Sequence, residues 1–269
     1  MALVLKALYH GYDRYLYDAQ DPRHADHFLM NPPWLPVAII GGYLYFVLNL
    51  GPKFMANRKP YDLKLLMQVY NILQVLANIY LFIEGIRILY SNNISFTCQP
   101  VDYSNNPIAL RELRLVYLYY LLKVTDLLDT AFFVLRKKQS HVTFLHVYHH
   151  SGIMLGAFVY NRFFPGGHFS MLGLCNTLVH AVMYFYFFLT VSRPELTKNA
   201  NWKKYITLMQ MIQFAYLVLH FATPIVLGLD CGIPKFWLWL PLIQNVFMMV
   251  LFWDFYTKAY GRRKVKKTE

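Results

Sequence analysis

Seven stretches of this chain are apolar and long enough to cross the hydrocarbon of a bilayer, which takes roughly 20 helical residues each. They fall at 34–51, 67–89, 115–135, 142–160, 169–191, 205–228 and 236–257, and no connection between them is long enough for a second domain. The runs are continuously apolar, so they read as helices; membrane strands would alternate with period two. Composition agrees. Of the 269 residues 57% are hydrophobic and only 15% are charged, where a soluble domain carries about 25% charged residues. The expected fold is an all-α polytopic membrane protein, a bundle of seven transmembrane helices forming one membrane domain over 1–269.

The formal net charge of +12 sits in short clusters between apolar runs, a membrane pattern and not a nucleic-acid-binding stripe. Lys53, Arg58, Lys59 and Lys64 share one connection, Arg136, Lys137 and Lys138 another, and Arg193, Lys198, Lys203 and Lys204 a third. The tail 258–269 holds Lys258, Arg262, Arg263, Lys264, Lys266 and Lys267. The alternate connections are poor in basic residues, with Arg87, Arg111, Arg114, Arg162 and Lys235. Seven spans put the four basic stretches on one side, which is then cytosolic, and the segment 1–33 on the lumenal side. The N-terminal MALVLKALYHGYDRY reaches polar residues too soon for a signal peptide, so the first span would serve as an uncleaved insertion signal.

Asn93-Ile94-Ser95 is a glycosylation sequon on the lumenal side of this topology. Two of the three cysteines, Cys98 and Cys231, fall on the same side, where a disulfide between them would persist. Cys175 lies within a span, and no cysteine pair has metal-ligand spacing. The tail ends Lys266-Lys267-Thr268-Glu269, which resembles the dilysine retrieval signal of endoplasmic-reticulum membrane proteins and is also a basic stretch attractive to anionic lipid.

Ionisable groups inside a span are costly unless they face a cavity or one another. The third span carries Lys123, Asp126 and Asp129 at spacings of three, within an arc of roughly 120° on one helical face. The fourth carries His146-Val147-Tyr148-His149-His150, three imidazoles within about 100°. The fifth offers Asn176, His180, Met183, Tyr184 and Tyr186, and the sixth opens with Thr207, Gln210 and Gln213. Polar stripes on four consecutive spans imply a closed bundle with a polar interior. A structural ion pair accounts for one buried Lys or Asp; it does not account for three histidines on one face with a fourth on the next span.

In order and spacing, Lys123-x-x-Asp126-x-x-Asp129-Thr130, His146-x-x-His149-His150, His180-x-x-Met183-Tyr184-x-Tyr186 and Thr207-x-x-Gln210-x-x-Gln213 resemble the signature boxes of the very-long-chain fatty acid elongase family. One position departs: Asp126 stands where that family usually has Glu. The resemblance implies a 3-oxoacyl-CoA synthase of the endoplasmic-reticulum membrane, with a narrow acyl-CoA tunnel inside the bundle. It would condense a long-chain acyl-CoA with malonyl-CoA, releasing carbon dioxide and CoA, with no bound cofactor. Separate reductases and a dehydratase would complete each cycle, and homo- or hetero-oligomers are expected among its partners.

The resemblance also implies that His149 is the nucleophile, since neutral imidazole can carry an acyl group. His180 would orient malonyl or stabilise its enolate, with Asn176 and Gln210 as neutral donors, and Asp129 would orient His146 or His150. Phosphates of CoA would meet basic groups at the cytosolic ends of the spans, Arg136, Lys138, Lys203 and Arg262, with Lys123 deeper and with Tyr186 and Thr207 nearby. Two rival readings weigh less. A di-iron desaturase or hydroxylase needs more ligands than the clustered histidines supply. A seven-span receptor has no use for His-x-x-His-His facing a carboxylate stripe, and a transporter would normally show internal repeats.

Overall fold

The computed structural model describes residues 6, 11, 19–24, 27–91, 95–198 and 201–261, and among them the chain is all helical. The glycosylation residue Asn93, the tail residues Arg262, Lys266 and Lys267, and much of the segments 1–33 and 258–269 lie outside the described residues. The long elements are α1 (Leu35–Met55), α2 (Lys64–Ser91), α3 (Pro107–Thr125), α4 (Leu128–Leu135), α5 (Phe144–Phe163), α6 (Ser170–Ser192), α7 (Asn201–Val226) and α8 (Lys235–Tyr260).

Five helices are long and apolar enough to cross a membrane by themselves: α1, α2, α6 with the turn before it, α7 and α8. The residues expected to form a third and a fourth span make shorter helices, of 19 residues in α3 and 20 in α5. Those two hold Lys123 and the histidines His146, His149 and His150.

α1 runs past Gly51-Pro52 to Met55, four residues beyond the end expected from the sequence. A π-helical turn over Phe46–Leu50 lets it do so, with the Gly51 N–H reaching back to the Phe46 carbonyl. Proline has no N–H and its ring clashes with the preceding turn, and widening that turn relieves the conflict. Gly51 also meets α4 closely: a Cβ there would come within 2.6 Å of Val134 Cγ1.

The expected single span over 115–135 is interrupted at Asp126–Leu127. No proline or glycine marks the break. Thr125 Oγ1 donates to the Leu122 carbonyl at 2.7 Å, while the Tyr70 hydroxyl donates to the Thr125 carbonyl at 3.2 Å. The Leu122 carbonyl still accepts from Asp126 N–H at 3.0 Å, but the backbone then tightens, with Leu127 N–H bonding the Val124 carbonyl at 3.3 Å and Asp129 N–H the Asp126 carbonyl at 3.2 Å.

Packing closes a ring. α2 lies along α3 and α6, α6 along α7, α7 along α8, and α8 returns to α5, which packs on α3. α1 stands against α4 and α5, on the outside of that ring. Large apolar side chains such as Leu65, Leu73, Ile212, Leu219, Ile243 and Val250 are exposed on its outer faces, where lipid and not water can accept them. One end of the bundle gathers the basic connections, where Lys137 Nζ reaches the Ala56 carbonyl and Gln68 reaches Ser192. The other end is tied by a Cys98–Cys231 disulfide spanning 133 residues of sequence. These are called the basic end and the disulfide end below.

Candidate active site

The charged heart of the ring is Lys123, at the last turn of α3. Its side chain is 0% exposed, and its Nζ lies 2.8 Å from Asp126 Oδ2 and 3.2 Å from His180 Nδ1 on α6. Gln74 of α2 donates to Asp126 Oδ1 at 3.0 Å. A buried ion pair is held only when the surrounding hydrogen bonds complete it; here three helices do. Lys123 is thus held between Asp126 and His180. It is committed to Asp126.

Asp129 does not orient a histidine. The break after Thr125 separates it from Asp126, and its Oδ2 accepts from the Tyr184 hydroxyl of α6 at 2.7 Å. The group that holds His146 is Thr130, whose Oγ1 lies 2.9 Å from His146 Nε2 and 2.8 Å from the Tyr43 hydroxyl of α1. Thr143 caps α5 by accepting from His146 N–H at 3.3 Å, which starts the helix just before the histidines. From there the rings assemble: His146 to His150 at 4.2 Å between centroids, His150 to His149 at 5.5 Å, and His149 to His180 at 6.3 Å across to α6.

A cavity of about 380 Å³ occupies the ring, within the usual range for small-molecule sites. His149 borders it, whereas His146, His150 and His180 do not. No hydrogen bond from another described residue occupies the His149 nitrogens. Asn176 also borders the cavity, its Oδ1 accepting from the Tyr119 hydroxyl at 3.1 Å, and the Tyr119 ring lies beneath Lys123 with Nζ 5.1 Å from its centroid. From this level the cavity runs between apolar walls to Glu112 and His168 near the disulfide end. A free imidazole at the edge of an apolar cavity, beside a buried lysine–aspartate pair, suits nucleophilic transfer of an apolar acyl group.

Residues 28–268 match the GNS1/SUR4 (ELO) family. The chain belongs to this family. Over 99% of its length it is 40% identical to the very long chain fatty acid elongase AAEL008004 of Aedes aegypti, covering 74% of that protein. It is 40% identical over 96% of its length to very long chain fatty acid elongase 7 of Rattus norvegicus, covering 92% of it, and 38% identical over 97% to elongase 7 of Drosophila melanogaster, covering 79%.

Other sequence-expected residues of this family member lie nearer the basic end and apart from the histidines. Arg136 caps α4 and places Nη1 3.1 Å from Met67 Sδ. Lys138 and Lys203 are exposed. Thr207 is buried and donates to the Lys203 carbonyl at 2.9 Å, and the buried ring of Tyr186 stacks on Trp202 at 6.4 Å. Gln210, one turn further in, approaches Met183 Sδ at 3.9 Å.

Several residues that shape the site escaped the sequence reading. Gln74 belongs to a buried polar row, Asn71, Gln74 and Asn78, on α2; its 3-then-4 spacing inside an apolar run was the available signal. Gln244 of α8 borders the cavity and accepts from the Tyr148 hydroxyl at 2.7 Å. His168 and His220 form a second pair, stacked at 3.8 Å, each ring Nε2 lying within hydrogen-bond reach of the other's backbone carbonyl, at 3.2 and 3.0 Å. Among the described residues no group of three or more His, Cys, Asp or Glu side chains is arranged to hold a metal ion.

Proposed function

We propose that this protein is a condensing enzyme of fatty acid elongation, joining a long-chain acyl-CoA to malonyl-CoA to give 3-oxoacyl-CoA, carbon dioxide and CoA. Membership of the family and full-length similarity to proteins named very long chain fatty acid elongases support the reaction class. One observation carries the mechanism: of the four clustered imidazoles, His149 is the one at the cavity wall with free nitrogens. The acyl group passes from CoA to His149, and a malonyl-derived enolate then displaces the imidazole. His180, polarised by Lys123 and Asp126, sits 6.3 Å from His149 and stabilises the enolate; Asn176 offers its amide beside it.

The cavity is the inner part of an acyl tunnel, with CoA entering from the basic end past Arg136, Lys138, Tyr186, Lys203, Thr207 and Arg262. α3 with α4, and α5, complete seven spans: α5 has 20 residues, about 30 Å of helix. The basic end faces the cytosol and the disulfide end the lumen of the endoplasmic reticulum. No cofactor takes part, and both reactants are CoA thioesters. Because the product is a 3-oxo thioester, two reductases and a dehydratase must act after this protein.

The test is direct. Purified protein with acyl-CoA and labelled malonyl-CoA yields labelled 3-oxoacyl-CoA, and incubation with acyl-CoA alone leaves an acyl group on the peptide containing His149, located by mass spectrometry. No labelled product would end the condensing reading; product without an adduct on that peptide would end the role of His149.

A further inference from the structure

Two amides at the cavity wall are held in the same way. The Tyr119 hydroxyl donates to Asn176 Oδ1 at 3.1 Å, and the Tyr148 hydroxyl donates to Gln244 Oε1 at 2.7 Å. Tyr148 is the aromatic residue inside the histidine cluster, and its ring is fixed between Phe144, stacked at 5.5 Å, and Phe247, edge-on at 5.2 Å. A hydroxyl on the amide oxygen turns the NH2 group away from it. For Gln244 that nitrogen lies 3.7 Å from where a Cβ on Gly152 would sit, and Gly152 borders the cavity.

Gly152 is one turn along α5 from His149, so their positions are about 5–6 Å apart. Among the described residues nothing accepts from the Gln244 NH2. The neighbouring Asn245, by contrast, donates to the Pro241 carbonyl at 2.7 Å. An oriented donor without an acceptor in an apolar wall is costly unless a ligand supplies the acceptor.

We infer that Gln244, oriented by Tyr148, donates a hydrogen bond to the acyl carbonyl oxygen while the acyl group is transferred to and from His149, with Asn176, also at the cavity wall, as a second donor. The inference rests on the condensing reading above. In the first step a His149 nitrogen bonds to the thioester carbon and the carbonyl electron pair moves onto oxygen, where the two amides meet the negative charge. Collapse breaks the C–S bond, and the imidazole proton leaves with the thiolate as CoA thiol. In the second step decarboxylation of malonyl-CoA releases carbon dioxide and leaves an enolate. The enolate carbon bonds to the acyl carbon, regenerating the same oxyanion; collapse expels the imidazole, which takes a proton from water. Both steps place charge on one oxygen, so one fixed donor pair serves both.

Single-turnover release of CoA from acyl-CoA without malonyl-CoA reads the first step alone. Gln244→Met keeps length and removes the donor; it slows that release by about 100-fold while acyl-CoA affinity stays within about twofold. Gln244→Glu, which cannot donate as a carboxylate, behaves alike. Tyr148→Phe, which frees the amide to rotate, gives a smaller loss in the same rate constant. Should Gln244→Met fail to yield a monodisperse protein in detergent, Gln244→Glu and Tyr148→Phe carry the same comparison. The inference is overturned if the folded Gln244 variants release CoA within about twofold of wild type, or if their loss lies wholly in acyl-CoA affinity. Wild-type protein that turns over beside variants that match it defeats the Gln244 assignment alone; wild-type protein that makes no 3-oxoacyl product defeats the condensing reading and this inference with it.

Discussion

Among the described residues of the helical bundle, two clusters of histidines are built in opposite ways. In the pair near the disulfide end, His168 and His220 each turn Nε2 to the other's backbone carbonyl, at 3.2 and 3.0 Å, and the rings stack at 3.8 Å. Cys231, Phe169 and Phe221 pack around that end. In the cluster beside Lys123, only His146 and His180 have side-chain partners, while His149 faces the cavity with both nitrogens open. An imidazole bonded to main chain staples two segments together; one left free at a cavity wall is available for chemistry. The residue type is shared, and the partners make the difference.

Exchanging the damage is the strongest way to break this comparison. His149→Ala removes the acyl acceptor and lowers 3-oxoacyl-CoA formation by at least about 1,000-fold, with thermal stability in detergent little changed because the ring holds nothing. His168→Ala does the converse: it frees a buried carbonyl, costs about 1–3 kcal/mol of stability, and, at the end of the cavity away from His149, lowers the rate of the folded enzyme far less. The measurement is a pair of melting curves beside a pair of rates. If His168→Ala loses activity as steeply as His149→Ala without melting earlier, the division into staple and nucleophile is wrong.

A comparable effect, on stability first, comes from the ion pair beneath the reactive cluster. Asp126→Ala leaves Lys123 charged and unpaired at zero exposure, which costs about 3–5 kcal/mol. Asp126→Ala together with Lys123→Met removes both charges and recovers most of that stability, yet leaves condensation slow because His180 loses its partners. Equal stability of the single and double variants would show that the pair is not a closed unit.

How much of this was legible beforehand differs between the two clusters. The reactive one announces itself because His146, His149 and His150 share one helical face and Lys123 and Asp126 share another, both inside apolar runs. Periodicity alone finds them. Who partners whom was not legible. The sequence puts Asp126 and Asp129 on one face, but the helix breaks between them and each carboxylate meets a different neighbour, Lys123 and Tyr184. Thr130 supplies the bond to His146 that Asp129 was expected to make. Gln74 and Gln244 lie in spans that read as plain apolar wall, because a single amide barely alters hydropathy. The His168–His220 staple joins residues 52 apart in sequence through ring-to-backbone bonds, and no local pattern encodes such a bond.

A further histidine, outside the spans, isolates the effect of burial from that of chemistry. His24 is buried, its ring 4.9 Å from His27 and 6.0 Å from Tyr117. Burial, reinforced by the neighbouring His27 and only partly opposed by Asp21, pushes its pKa down to about 4. The folded protein thus keeps this ring neutral where an unfolded chain, titrating near 6.5, would protonate it. Stability is therefore unaffected above about pH 6.5, falls as pH drops from there toward 4, and levels off below; the whole difference is on the order of 3 kcal/mol. His24→Asn removes the titration, so its melting temperature should change less than that of wild type between pH 7 and pH 4.5, whatever its absolute value. Parallel pH profiles for wild type and His24→Asn would mean that the acid sensitivity of this fold arises elsewhere, and that burial of an imidazole outside the spans carries no measurable linkage.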